Sequence, residues 1–531
     1  MFQHFLDVRA GRCTLAARNV GGLAENMSLK KNILANYASQ FYVTLIGIVT
    51  VPLYIKYMGA EAYGLVGFFA MLQAWFMLLD MGLTPTIARQ TARFRGGATD
   101  ALSYRRLVRA LEGVFLIVAL VGGAAMFAAS RYIAQDWLQA AQLPIVEVQT
   151  ALQLMAIIIA LRWMCGLYRG AISGSERLIW LGGFNSIIAT LRFVGVLPLL
   201  IFVGVTPTLF FSFQFGVALI ELAGLMFYAY RLLPIIPKEE QLPWEWTPLK
   251  PVLKFSLTIA FTSSVWVLVT QTDKLVLSKI LPLAEYGYFT LAVLVASGVM
   301  VISGPISAAI MPRMTKLEAE GDHAGLIRVY RQATQLVAVI AGAASITIAF
   351  CAEPLLWAWT GDKLLAHQAA PVLILYALGN GILAVAAFPY YLQYAKGDLR
   401  LHLIGNAVFV VLLIPAIIWA ASQCGGVGAG YVWLGINLLS FVAWLPLVHH
   451  KFAPGLNFKW YGQDILIIVL PAAIAGYFLS IFFPQSDNRW MQFTEVIFTG
   501  LSVLMAGAAA SSETRARVNH WLMQRQQRQD S

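Results

Sequence analysis

The sequence predicts an all-α polytopic membrane protein of about fourteen transmembrane helices, arranged as two six-helix lobes in parallel repeat plus two C-terminal helices. Three observations carry that expectation. The first is composition: of 531 residues, 59% are hydrophobic and only 12% charged, whereas a soluble chain carries about a quarter charged residues. The second is that apolar stretches of membrane-spanning length recur from end to end, giving a mean hydropathy of +0.71. The third is that lysine and arginine gather in every second connection.

Apolar runs of about twenty residues lie near 33–55, 63–85, 109–129, 147–167, 179–203, 207–230, 255–281, 287–311, 331–352, 370–392, 401–421, 427–449, 465–484 and 493–511. They divide the chain into an N-terminal extension expected to be disordered (1–28), an N-lobe of spans 1–6 (29–232), a cytoplasmic linker (233–254), a C-lobe of spans 7–12 (255–452), two additional spans (453–512) and a basic cytoplasmic tail (513–531). Alternate connections carry Lys30/Lys31, then Arg89/Arg93/Arg95/Arg105/Arg106/Arg109, then Arg169/Arg177. The series continues with Lys238/Lys250/Lys254, Arg313/Lys316/Arg328/Arg331, Lys396/Arg400, Lys451/Lys459 and the tail arginines. The opposite connections hold little beyond Lys56, Arg131, Lys279, Lys363 and Arg489. Positive loops stay inside, so both termini are expected in the cytoplasm. The formal charge of +11 is then a consequence of topology, and no nucleic-acid partner is implied.

Several function classes drop away. The four cysteines and seven histidines are scattered and form no metal or redox spacing, so no metal site and no cofactor are expected. The connections are too short for the extramembrane domain on which a membrane polymerase or glycosyltransferase holds its acid and base. No Gly-Lys-Ser/Thr phosphate loop is present, and no filter loop of a channel. A transporter, not an enzyme, is the class that remains.

An internal repeat supports it. Without gaps, "YGLVGFFAMLQAWFMLLDMGLTPTIARQ" from Tyr63 lies on "YGYFTLAVLVASGVMVISGPISAAIMPR" from Tyr286. Tyr63-Gly64 falls on Tyr286-Gly287, Lys56 on Lys279 and Arg105 on Arg328. Each copy reads as a helix, an external Tyr-Gly turn, a second helix and a basic cytoplasmic connection. The second helix of each copy carries matching breakers, Gly82 and Pro85 in "DMGLTP" and Gly304 and Pro305 in "SGP". Paired interruptions predict helix breaks lining a translocation path.

"LLDMGLTPTIARQ", "YRGAISGSERLIWLGGFNSI", "QTDKLVLSKILPLAEYGYFTLA" and "ISAAIMPRMTKL" resemble the lipid-linked oligosaccharide flippases of bacterial surface-polysaccharide assembly, in the multidrug/oligosaccharidyl-lipid/polysaccharide exporter superfamily. The resemblance spans most of residues 29–450. It implies alternating-access flipping of an undecaprenyl-diphosphate-linked oligosaccharide across the bacterial inner membrane. Membrane lipids and the polysaccharide polymerase or export machinery are the implied partners. Many O-antigen members have two fewer spans, and the extra pair is similar to the lipid II flippase branch and to some exopolysaccharide members.

Charges inside the spans are expensive, roughly 2.5–3.5 kcal/mol each at the bilayer centre, and so mark the site. Arg192, Lys274 and Arg162 are the candidates for an anionic headgroup. Asp80, Asp273, Glu221 and Glu112 are the candidates for binding a coupling proton or sodium, or for balancing the cations. Arg162 near its helix end could also snorkel, Glu112 could pair with Arg109, and Arg192 could bridge to Glu221. Asp273 and Lys274 diverge by about 100° on a helix, so one is expected to meet a neighbouring helix and the other the cavity. Gly166, Gly170 and Gly174 form a small-residue face, read first as helix packing. The competing functions are a multidrug/cation antiporter of the same superfamily, which would favour an anionic cavity, a lipid II flippase, and the disfavoured membrane enzyme.

Overall fold

A computed structural model of the chain describes residues 35–80, 82–235, 246–482, 488–516 and 523. The expected N-terminal extension, part of the linker and most of the basic tail lie outside these. Every regular element described is helical. In order they are α1 (Ala35–Met58), α2 (Ala60–Phe76), α3 (Leu83–Arg95), α4 (Ala101–Tyr132), α5 (Ile145–Gly174), α6 (Leu178–Phe193), α7 (Leu197–Phe202), α8 (Pro207–Leu232) and α9 (Lys250–Ile280). There follow α10 (Leu283–Ala319), α11 (His323–Phe350), α12 (Ala352–Thr360), α13 (Lys363–Ala386), α14 (Phe388–Ala395), α15 (Arg400–Leu439), α16 (Leu445–Phe452), α17 (Asn457–Lys459), α18 (Ile467–Phe482) and α19 (Arg489–Ala510).

Side-chain caps set several of the starts by satisfying backbone N–H groups that have no intrahelical partner. Asp100 accepts from the N–H of Ser103, Thr206 from Leu209, Asp322 from Gly325 and Asp362 from Leu365. Among the described residues, 12 helical stretches are long and apolar enough to cross a bilayer. One of them, Arg400–Phe452, runs for 53 residues and breaks at Cys424 and Gly425, so it supplies two of the expected spans. The 31-residue α9 covers the seventh of the expected apolar runs and is not one of these twelve. The chain is an all-α polytopic membrane protein.

Two compact units result. One comprises Met1–Tyr57, described from Ala35, with Leu72–Ile133 and Val146–Ser264; the other comprises Met58–Met71, Ala134–Ile145 and Val265–Ser531. In the first, the glycine face of α5 lies against α3. A Cβ on Gly170 would meet Ile87 Cγ2 at 2.4 Å, and one on Gly174 would meet the Ala88 carbonyl oxygen at 2.2 Å. In the second, the two C-terminal spans are fastened to α11 by polar contacts. Asp464, in the π-helical turn Trp460–Leu466, is fully buried and accepts from Arg331 Nε at 2.7 Å and Gln335 Nε2 at 2.7 Å. Trp460 donates its indole N–H to Thr334 at 3.0 Å.

Two details of the repeat differ from expectation. The Tyr-Gly pairs are not the turns but are the fourth and fifth residues of α2 and α10. The actual turns are at Gly59, which is left-handed at φ 85, and at Leu281–Pro282. Second, only the first copy is broken. Helix α2 tightens to a 3-10 turn at Met77–Asp80, Gly82 takes a left-handed φ of 70, and α3 starts afresh with Pro85 in its first turn. Helix α10 instead passes through Ser303, Gly304 and Pro305 without interruption. The residues at equivalent positions explain the difference. Gly82 corresponds to Pro305, whose ring locks φ near about −65° and forbids the left-handed turn. Asp80 corresponds to Ser303. The carboxylate of Asp80 receives the freed backbone N–H of Thr84 at 3.3 Å and its hydroxyl at 2.6 Å, whereas the Ser303 hydroxyl donates back to the Met300 carbonyl at 2.9 Å. Gly304 and Pro305 are therefore not a helix break.

Candidate functional site

The densest buried charge in the first unit centres on Glu221 of α8, which is 1% exposed. Three guanidinium groups converge on it. Arg192 of α6 donates Nη2–H to Oε2 at 2.8 Å. Arg169 of α5 contacts Oε1, and Arg162 Nε stands 3.9 Å from Oε2. Arg162 and Arg169 are seven residues apart on one helix, two turns, and so project from the same side. Arg162 is further held by Gln73 Oε1 at 2.9 Å and Gln214 Oε1 at 3.3 Å, and Gln214 donates to the Arg192 carbonyl at 2.8 Å. Tyr54 of α1 donates to the neighbouring Phe193 carbonyl at 2.7 Å.

Three cations against one carboxylate leave an excess of two positive charges inside membrane-spanning segments. The Nε–H groups of Arg169 and Arg192 are buried and donate to nothing among the described residues. Arginine presents five N–H donors in a fixed planar fork suited to carboxylate and phosphate oxygens. The arrangement can therefore hold an anion with several oxygens, while Glu221 offsets part of the repulsion among the three guanidinium groups.

Of the expected site residues, Arg162, Arg192 and Glu221 come together here. The Arg192–Glu221 bridge and the cationic cluster coexist, since a single carboxylate cannot neutralise three arginines. Arg169 was missed, because the positive-inside count assigns it to a basic connection. Its spacing from Arg162 was the available signal.

The other candidates stand elsewhere. Glu112 of α4 accepts from the hydroxyls of Tyr230 at 2.7 Å and Tyr168 at 3.3 Å. Asp80 is 8% exposed, and its hydrogen bonds run to Thr84. In the second unit, Asp273 of α9 is 2% exposed and accepts from Tyr376 of α13 at 2.6 Å, so it is the member of its pair that meets a neighbouring helix. Lys274 curls back, with Nζ 3.1 Å from Asp273 Oδ1 and 2.6 Å from the Thr270 carbonyl. Among the described residues no group of three or more His, Cys, Asp or Glu gathers as a metal site would require.

A family model described as polysaccharide biosynthesis protein matches residues 29–318. The fold is shared with a lipid II flippase, MurJ, in an inward closed conformation, at 12% identity and TM-score 0.71, over 90% of this chain and 98% of that one. It is also shared with an inward-facing multidrug resistance MATE family transporter of the MOP superfamily, at 13% identity and TM-score 0.64, over 77% of this chain and 94% of that one. A MOP superfamily transporter from Pyrococcus furiosus, whose binding pocket is described as having reverse polarity, matches at 14% identity and TM-score 0.53, over 80% and 95% of the two chains. No curated protein matches in sequence.

Proposed function

We propose, of a chain that belongs to the polysaccharide biosynthesis protein family, that it is a flippase carrying an undecaprenyl-diphosphate-linked oligosaccharide across the bacterial inner membrane by alternating access. The observation that carries this reading is the surplus of two cations over Glu221. A lipid diphosphate brings negative charge and several acceptor oxygens into the membrane, and charge-assisted hydrogen bonds are roughly twice as strong as neutral ones. An exporter of cationic drugs would need the opposite sign. Lipid II is itself a lipid diphosphate carrying a saccharide, so a lipid II flippase is the second reading, favoured by the 90% of the chain over which the MurJ likeness extends. Asp80, whose buried carboxylate bonds only Thr84 among the described residues, is the acid we assign to a coupling proton or sodium; Asp273 and Glu221 balance their cations.

Deleting the gene is expected to leave lipid-linked repeat units on the cytoplasmic leaflet and to remove a surface polysaccharide. The leaflet distribution of the lipid-linked pool measures this. Normal surface polymer with altered drug resistance would favour the antiporter, and accumulation of lipid II with cell lysis would favour the second reading.

Orientation follows from the basic connections: both termini in the cytoplasm, with polymerase or export partners acting on the opposite face. Reporter fusions after Leu281 and after Asn488 should both report the periplasm. A cytoplasmic signal at either site would overturn the assignment.

Charge should matter more than shape at the cations. Arg192→Ala is expected to lower surface polymer about tenfold or more at matched membrane abundance, the loss of one charge-assisted contact. Arg192→Lys should retain part of the export, since it keeps the charge and loses the planar fork. Lys274→Ala, by contrast, frees Asp273 of its cation and tests whether that pair touches the substrate at all. Complementation normalised to protein level reads all three, and equal export by Arg192→Ala and the native protein would sink the cationic site.

A further inference from the structure

The second unit contains a cavity of about 340 Å³ that the flippase reading does not use. It lies where the end of α11, the short α12, the start of α13, the end of α18 and the start of α19 converge, at the lysine- and arginine-poor end of the spans. Its polar lining is Glu353, His367, Ser480, Gln492, Glu495 and Thr499, and it includes no lysine or arginine. His367 Nδ1 and Glu353 Oε1 stand 3.3 Å apart with both side chains open to solvent, so this pair marks the mouth. Gln492 and Glu495 are set deeper. Gln492 is 2% exposed, and the Oε1 atoms of both Gln492 and Glu495 are buried with no donor among the described residues.

Buried acceptors left without donors cost stability, and native proteins leave few of them. Two such atoms belong to side chains lining one cavity, alongside the Thr499 and Ser480 hydroxyls. What satisfies them must bring at least two N–H or O–H donors. Two carboxylates without a facing lysine or arginine also favour a positive charge. A quaternary ammonium supplies the charge but no donor. A primary ammonium supplies both, with three donors on one nitrogen.

We propose that this cavity binds a small primary ammonium group, of the aminoethanol kind, with its nitrogen between Gln492 Oε1 and Glu495 Oε1. Such a group is presented by an ethanolamine lipid headgroup and by a free amine alike. All its lining residues belong to the second unit, and none of them is a member of the arginine cluster.

The test is the thermal unfolding midpoint of the full-length protein in nanodiscs. Phosphatidylethanolamine discs should raise the midpoint over phosphatidylcholine discs if the source is a lipid headgroup. Ethanolamine added to phosphatidylcholine discs should raise it if the source is free, and choline should do nothing in either case. Glu495→Gln keeps the shape and removes the charge, and Gln492→Met removes the amide. Both variants are expected to lose the response while remaining folded, as judged by an unchanged midpoint in phosphatidylcholine discs without added amine. A native protein that responds to neither source, that responds equally to choline, or whose response survives in both variants overturns the proposal.

Discussion

Glu221→Ala is expected to remove most of the protein from the membrane. The substitution leaves Arg162, Arg169 and Arg192 clustered around a vacancy, and Glu221 is the carboxylate that all three share. Breaking a buried ion pair from one side costs about 3–5 kcal/mol, which is roughly a hundredfold or more in the ratio of folded to unfolded protein. Loss of abundance alone would show only that the carboxylate is structural. The informative variant is Glu221→Gln combined with Arg169→Gln, which removes one charge of each sign and keeps the surplus of two. If the surplus is what holds the anionic substrate, the double variant should recover abundance and a measurable part of export. If Glu221 itself carries the coupling proton, abundance returns and export does not. Membrane protein level and surface polymer, measured on the same cells, separate these outcomes. A Glu221→Ala protein present at native abundance would mean that the three arginines do not depend on it.

The spans were legible because hydropathy and the alternation of basic connections are independent signals that agree at each crossing. The helix break at Gly82 was legible for the same kind of reason, an acid, a glycine and a proline within six residues of "DMGLTP". Its supposed counterpart at Gly304–Pro305 was not, because a proline by itself removes a single ladder bond and in an apolar setting the rest of the ladder is worth keeping. The break needs a residue that tolerates positive φ, which Gly82 supplies and Pro305 does not. At the site, Arg192 and Arg162 could be singled out as charges within spans. Arg169 could not, since basic residues near a span end are what topology predicts. That Glu221 gathers all three depends on which faces of α5, α6 and α8 meet, and α8 is apolar nearly all round, with no stripe to fix its rotation. The cavity beside Gln492 was equally hidden, because its lining comes from five elements far apart in the chain.

Gly64→Leu is expected to be the most damaging of the apolar substitutions, and the repeat explains why. A Cβ on Gly64 would lie 2.2 Å from the carbonyl oxygen of Leu283, and a Cβ on Gly287 would lie 2.8 Å from that of Ala60. In the alignment of the repeat, Gly64 is equivalent to Gly287 and Ala60 to Leu283, so the two contacts are the same contact seen from each copy. A Cβ on Gly287 would also meet Gly64 N at 3.1 Å, and one on Gly67 would meet its own equivalent, Thr290, at 2.5 Å from Oγ1. Positions that touch their own equivalents lie on a local two-fold relation, as in an isologous interface. Helices α2 and α10 thus cross backbone to backbone within the second unit, close enough that a methyl group is already too much. Because the nearest obstacles at Gly64 and Gly287 are backbone atoms, no rotamer change relieves them. Overpacking costs typically 1–3 kcal/mol, and a leucine here should reach about the top of that range. Gly287→Ala should cost less, about 1–2 kcal/mol, because its nearest clash is longer. Gly298→Ala, on the same α10 with nothing within 4 Å of the added carbon, is the clash-free control. Thermal midpoints of the three purified variants should fall in the order Gly298→Ala, Gly287→Ala, Gly64→Leu, with the first at or above the native protein, since alanine is the better helix former. A Gly64→Leu protein as stable as that control would mean that α2 and α10 do not cross at this pair of glycines.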